Sequence, residues 1–294
     1  MLRVFTQDNV PTVKVELPFA NGIELFIRRE DLLHPEISGN KFRKLKYNIE
    51  AALAANHKQL LTFGGAYSNH IAATAAAGRL FGIETIGVIR GEEIEQVYQE
   101  NPTLRKAEED GMRFKFVTRT AYRTKESPAF LADLQREFGD FYLVPEGGTN
   151  REAVRGTEEI IQHGDEQYDY ICCAVGTGGT IAGIINRSFP HQKVIGFPAL
   201  KGDFLTEAIA QHTQKENWTL ALAYHFGGYA KYNADLLRFI SEFKRNTGIL
   251  LDPIYTGKLL FGIFDWIELH QFTKNSKVLA IHTGGLQGWN EKIK

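Results

Sequence analysis

The chain alternates short runs of β-branched and aromatic residues with longer stretches in which apolar positions recur every three to four residues. The short runs predict strands over Ile23–Arg28, Gln59–Phe63, Glu84–Arg90, Phe114–Val117, Tyr170–Val175, Lys193–Phe197 and Lys277–His282. The longer stretches predict helices over Lys41–Asn56, Asn69–Phe81, Glu95–Asp110, Ala129–Phe138, Glu152–His163 and Ala234–Asn246. Strands alternating with amphipathic helices are the pattern of an α/β fold, with open, mostly parallel sheets covered by helices.

At 294 residues the chain is about twice a common domain, which predicts two domains or one large α/β unit. Its 43% hydrophobic and 23% charged residues are ordinary for a globular protein and exclude a disordered or coiled-coil chain. Lys and Arg number 34 against 35 Asp and Glu, so no basic surplus exists for a phosphate backbone or an anionic membrane, and no nucleic-acid partner is expected. The two cysteines, Cys172 and Cys173, are adjacent; on a strand they point to opposite faces, which predicts buried thiols, no disulfide framework and no metal site. The N-terminal stretch lacks the apolar block of a signal peptide and no segment reaches about 18 apolar residues, so a cytoplasmic protein with no membrane partner is expected.

Glycine adds chemistry to this picture. The 28 glycines include Gly-Gly pairs at 64–65, 147–148, 178–179, 227–228 and 284–285, mostly just beyond predicted strands, where ligands of open α/β sheets bind. Around the third pair, an apolar strand from Ile171 runs into Gly176-Thr177-Gly178-Gly179-Thr180 and a helix start. Unpaired N–H groups and the positive helix end make that loop a cradle for one phosphate. A dinucleotide fingerprint fails because Ile181 stands where the third glycine belongs, and no Gly-Lys-Ser/Thr of a P-loop follows, which weighs against a nucleotide-binding oxidoreductase.

Two further segments carry candidate chemistry. In Ser38-Gly39-Asn40-Lys41-Phe42-Arg43-Lys44 a loop meets a helix whose first turn holds Lys41. The helix dipole, Arg43 and Lys44 are expected to lower the Lys41 pKa and make its amine nucleophilic; a solvated surface lysine is the plainer alternative. In Thr62–His70, Ser68-Asn69-His70 lies where a strand gives way to an Ala-rich helix. Ser68 and Asn69 suit simple N-caps or an anion site, and His70 suits a structural histidine equally well.

Six motifs then occur in order: Ser38–Lys44, Gly64–His70, Pro145–Asn150, Val175–Thr180, Leu251–Lys258 and His282–Gly285. Together they resemble the 1-aminocyclopropane-1-carboxylate (ACC) deaminase/D-cysteine desulfhydrase family of pyridoxal-phosphate (PLP) enzymes, of tryptophan-synthase β-like fold type II. The likeness runs from Glu24 to Gly288. It implies a large domain from residues 1–47 and 146–294, a small domain from 48–145, the cofactor in the cleft between them, and a homodimer.

The resemblance also implies roles. Lys41 carries the Schiff base, Gly176, Thr177, Gly178, Gly179 and Thr180 hold the cofactor phosphate, Asn69 bonds the ring hydroxyl and Thr283 faces the pyridine nitrogen. Ser68 and the backbone at Asn69 and His70 receive the carboxylate of a small amino-acid substrate, while Ser68, Tyr229 and Tyr255 are candidates for moving protons.

Similar ACC deaminases carry Glu and Leu where this chain has Thr256 and Thr283, and His70 agrees with the desulfhydrase side. This favours α,β-elimination of D-cysteine to pyruvate, sulfide and ammonia. ACC deamination to 2-oxobutyrate and ammonia, and a PLP-binding protein without lyase activity, are the alternatives. Ala66-Tyr67 replaces the Ile-Gln common in relatives, and a ring at Tyr67 would narrow the pocket.

Overall fold

In the computed structural model, which describes residues 10–18 and 22–286, the strands in chain order are β1 (Thr12–Val15), β2 (Glu24–Arg28), β3 (Gln59–Gly64), β4 (Glu84–Arg90), β5 (Met112–Val117), β6 (Tyr142–Val144), β7 (Tyr170–Val175), β8 (Lys193–Pro198), β9 (Trp218–Leu220) and β10 (Lys277–Ile281). Gly288 and the first nine residues of the N-terminal stretch lie outside the described residues. The helices are α1 (Asn40–Ala54), α2 (Asn69–Phe81), α3 (Pro102–Glu109), α4 (Arg119–Tyr122), α5 (Pro128–Phe138), α6 (Arg151–Glu158), α7 (Gly179–Arg187), α8 (Phe204–Ala210), α9 (Ala234–Thr247) and α10 (Thr256–Glu268).

Two sheets result. One runs β1-β2-β10-β7-β8-β9 and is parallel except for β1, which pairs antiparallel to β2 with Thr12 opposite Arg28. The other runs β5-β4-β3-β6, parallel throughout, and is drawn from one continuous stretch of chain. Each strand expected from the hydrophobic pattern forms. The three that the pattern missed, β1, β6 and β9, are edge strands of three or four residues, mostly only partly buried, so they need no apolar run.

The helices differ more. The stretch read as helix over Glu95–Asp110 is α-helical only from Pro102, after a 3-10 turn at Tyr98–Glu100, because Asn101 caps the backbone N–H groups of Thr103 and Leu104 and a proline keeps the residue before it out of the helical region. The helix expected over Glu152–His163 ends at Glu158. Helix α10 escaped notice because it is covered on several sides: eight of its thirteen residues are buried, including Gly257 and Gly262, and one-sided periodicity is lost.

Both faces of the larger sheet are covered. Leu25, Ile27, Cys172 and Ile195 pack with Leu236 and Ile240 of α9 and Leu259 and Ile263 of α10. Cys173, Val175, Leu279 and Ile281 pack on the opposite face with Ile181 and Ile184 of α7 and Leu205 and Ile209 of α8. The two cysteines therefore lie on opposite faces as free, buried thiols. The smaller sheet places Leu60 against α1 and α2 on one face and Leu61, Phe63 and Val88 against Leu134 of α5 on the other.

Candidate active site

A cavity of about 650 Å³ lies beyond the carboxyl ends of β3, β4, β6, β7, β8 and β10, within the usual 300–1,000 Å³ of small-molecule sites. Lys41 lines it from the first turn of α1. That turn is seated on the end of β10: Gly39 adopts φ +63°, a Cβ on it would stand 1.9 Å from the Thr283 carbonyl oxygen, and the Asn40 N–H donates to that oxygen at 3.2 Å.

Burial lowers the Lys41 pKa from 10.5 to about 8. The direction is the one the sequence suggested, but the cause is desolvation. Arg43 turns away from the cavity and pairs with the fully buried Glu30 through contacts of 3.0 and 3.2 Å.

Lys44, one turn further along α1, is the main residue the sequence reading passed over, having served there only as a charged neighbour. It lines the same cavity and its Nζ donates to Gly147 O at 2.9 Å and Thr149 Oγ1 at 3.2 Å. The i, i+3 spacing from Lys41 was the signal available. Burial, and then the charge of Lys41, hold its amine well below its ordinary value.

The loop after β7 faces the two lysines. Gly176, Thr177, Gly178 and Thr180 line the cavity; Gly179 does not, and a Cβ on it would stand 2.8 Å from Thr149 Oγ1 and 3.1 Å from Lys44 Nζ. Gly178 caps α7 at φ +89° with no side-chain cap, so the first N–H groups of the helix keep no intrahelical acceptor. Thr177 Oγ1 lies 2.6 Å from Thr149 Oγ1, and Asn40 Nδ2 donates to Thr180 Oγ1 at 2.7 Å. Glycine backbone, free N–H groups and two amines form a surface suited to an anion.

The turn before α2 supplies the next wall. Ser68 Oγ accepts the backbone N–H groups of His70 and Ile71 at 3.2 and 3.3 Å, so it acts as the N-cap and the His70 N–H is already engaged. Asn69 lines the cavity with a buried Oδ1 that has no partner. His70 is buried; its Nε2 lies 2.8 Å from Thr62 Oγ1, whose own proton goes to Val144 O at 2.7 Å. The imidazole therefore donates from Nε2, and burial, Lys41 and Lys44 keep it neutral by pushing its pKa well below the ordinary value. Its Nδ1 is left without a partner.

Tyr229 and Tyr255 complete the opposite side, with ring centroids 6.3 Å apart and inclined by 64°. Burial raises the Tyr255 phenol pKa strongly, and partial desolvation on the cavity side raises that of Tyr229, which is 40% exposed, so both rings carry their protons. Thr283, 7% exposed, lines the cavity after β10. Thr256 does not line it: its hydroxyl donates to Asp252 Oδ2 at 2.6 Å inside the protein. Arg90, at the end of β4 with its guanidinium 5.8 Å from the Tyr122 ring centroid, and Glu146, 3.2 Å from Lys125, also line the cavity and were not singled out. Tyr67 stands at the cavity half exposed.

The arrangement fits a phosphorylated cofactor. The glycine loop and Lys44 suit its phosphate, the unpartnered Asn69 Oδ1 suits a ring hydroxyl that donates to it, and the Lys41 amine is free to bond covalently.

Comparisons with known proteins agree. A protein of Arabidopsis thaliana named bifunctional D-cysteine desulfhydrase/1-aminocyclopropane-1-carboxylate deaminase, mitochondrial, is 30% identical over 93% of this chain and 75% of its own. A protein of Pyrococcus horikoshii, provisionally named 1-aminocyclopropane-1-carboxylate deaminase, is 29% identical over 91% of this chain and 86% of its own. A crystal structure described as an ACC deaminase homologue superposes with a TM-score of 0.81 at 26% identity, covering 95% of this chain and 90% of the other. The model of the family described as pyridoxal-phosphate dependent enzyme matches residues 5–284, and the chain therefore belongs to that family, as a PLP enzyme of fold type II related to the ACC deaminases and D-cysteine desulfhydrases.

Proposed function

We propose that this enzyme catalyses α,β-elimination on a small amino acid, converting D-cysteine and water to pyruvate, sulfide and ammonia. The observation that supports this reading best is the meeting of the Lys41 amine, the Ser68–Asn69 turn and two protonated phenols around one cavity.

Bound PLP supplies the electron sink that makes loss of a Cα proton feasible. Lys41 anchors it, the Gly176–Thr180 loop and Lys44 hold its phosphate, Asn69 its ring hydroxyl, and the Thr283 hydroxyl its ring nitrogen. The Ser68 O–H and the Asn69 N–H bind the substrate carboxylate, the Ser68 lone pairs being engaged by the helix cap, and the His70 backbone belongs to the same turn. Lys41 Nζ, released when the substrate amine takes its place on the cofactor, would take the Cα proton. The Tyr255 hydroxyl, with Tyr229 beside it, gives a proton to the departing sulfur. In this reading residues 48–145 form a small domain against 1–47 and 146–294, and the enzyme works as a cytoplasmic homodimer.

The test is to supply PLP-loaded protein with D-cysteine, L-cysteine and ACC in parallel and to measure pyruvate, sulfide and 2-oxobutyrate. Preferential sulfide release from D-cysteine supports the reading, and sustained 2-oxobutyrate formation from ACC overturns it in favour of the deaminase activity that the Arabidopsis relative's name includes.

A further inference from the structure

Helix α10 carries a buried lysine that no step above employs. Lys258 is 1% exposed, and its Nζ donates to three backbone carbonyls: His225 O at 2.8 Å, Gly228 O at 2.9 Å and Ala199 O at 3.3 Å. An ammonium has three protons and no acceptor, so this set uses all of its bonding capacity. The carbonyls belong to two segments of the cavity wall, since Ala199 precedes Leu200 and Gly228 precedes Tyr229, and both of those side chains line the cavity.

The second segment is held at its start by Phe226, whose ring packs edge-on against Phe261 at 5.2 Å, and by the Gly227 N–H, which donates to His225 Nδ1 at 2.9 Å. It lies between a single turn at Leu222–His225 and the start of α9, with no helix or strand of its own. Phe226 and Ala230 sit at φ +53° and +55°, in the left-handed region that side chains other than glycine seldom occupy. Its own backbone bonds, Gly228 N–H to His225 O at 3.0 Å and Lys231 N–H to Gly228 O at 3.2 Å, end on the two carbonyls that Lys258 grips. Beyond Phe226 the chain is open, Tyr229 being 40% exposed and Tyr232 36%, so side-chain packing does not fix the part that carries Tyr229. The start of α10 thus presents Tyr255 to the cavity and, three residues on, the amine that holds the backbone of the second phenol.

We propose that Lys258 is a positioning residue: by bridging these three carbonyls it fixes Tyr229 against Tyr255 over the cavity and sets the geometry in which the two phenols meet the substrate. The catalytic part of this inference rests on the role given to Tyr229 above, whereas the clasp itself does not.

Hydrogen exchange on the cofactor-free Lys258→Met protein tests the clasp. Amides of residues 226–232 should exchange about tenfold faster or more, with those of β7 and β10 unchanged. Unchanged protection at 226–232 overturns the proposal, as does acceleration spread evenly over the fold. If Lys258→Met does not fold, Lys258→Gln, with two donors on a shorter arm, carries the same test.

A double-mutant cycle on the PLP-loaded enzyme tests the positioning. Lys258→Met alone should lower kcat about tenfold, but by less than about twofold in a Tyr229→Phe background. Losses that multiply overturn the role. If no amino acid is turned over, the functional reading has failed, and exchange alone decides for or against the clasp.

Discussion

Asp252 accepts the Thr256 hydroxyl at 2.6 Å, and the same carboxylate takes the backbone N–H groups of Ile254, Tyr255 and Thr256 at 2.8, 2.7 and 2.9 Å. This buried cluster fixes the turn that delivers Tyr255 to the cavity. A residue marked in the sequence as a sign of substrate choice therefore acts from behind the wall. Thr256→Val removes one donor from a buried carboxylate and should cost about 1.5–3 kcal/mol, read as a lower urea midpoint, with cofactor still bound.

Lys41→Ala should abolish the near-ultraviolet and visible absorbance of covalently held PLP after desalting; retention of that band would show that another amine is the anchor. In the cofactor-free protein the depressed pKa has a second consequence. The unfolded chain binds more protons than the folded one between about pH 8 and 10.5, so Lys41 contributes a stability increment that rises with pH across this window. The increment should vanish in Lys41→Met, as seen by chemical denaturation at pH 7.5 and 10.

Lys44 makes a different prediction. Burial disfavours its ammonium in the free protein, and an arriving phosphate favours it, so cofactor binding should take up protons and weaken as pH rises. Calorimetry in buffers of different ionisation enthalpy measures the uptake. Lys44→Met should reduce it and weaken PLP binding about 10- to 100-fold, the worth of a charge-assisted hydrogen bond; unchanged affinity would place the phosphate elsewhere.

Because the Tyr255 phenol is pushed well above 10, it acts as a proton donor throughout the neutral range. Tyr255→Phe should lower kcat by about 10²- to 10⁴-fold without loss of cofactor absorbance, and any alkaline limb of kcat/KM below pH 10 should persist in the variant. A limb that disappears with the hydroxyl would assign it to Tyr255 and contradict the burial effect.

Much of the architecture was legible because central parallel strands must be apolar. Runs such as Tyr170–Val175 have no other reading, whereas the edge strand Trp218–Leu220 answers to a single neighbour and carries little pattern. The cavity residues clustered in glycine-bearing motifs, since close backbone approach leaves a compositional mark, as at Gly39 against Thr283. Lys44 and Lys258 stand at the ends of two such motifs with nothing there to set them apart, and Arg90 lies outside all of them. A lysine that caps carbonyls inside the protein reads in sequence like one in water, and only the tertiary arrangement tells them apart.

The place of β10 sets an order on synthesis. It fills the slot between β2 and β7, strands that leave the ribosome some 145 residues apart, and it is the last strand to emerge among the described residues. Until then both neighbours present an open edge, Thr283 is missing from the cavity, and Gly39 has no carbonyl to seat the first turn of α1. A nascent chain halted before Lys277 thus has its smaller sheet complete but its larger one split between β2 and β7, with both edges exposed to wrong partners, and the site closes late.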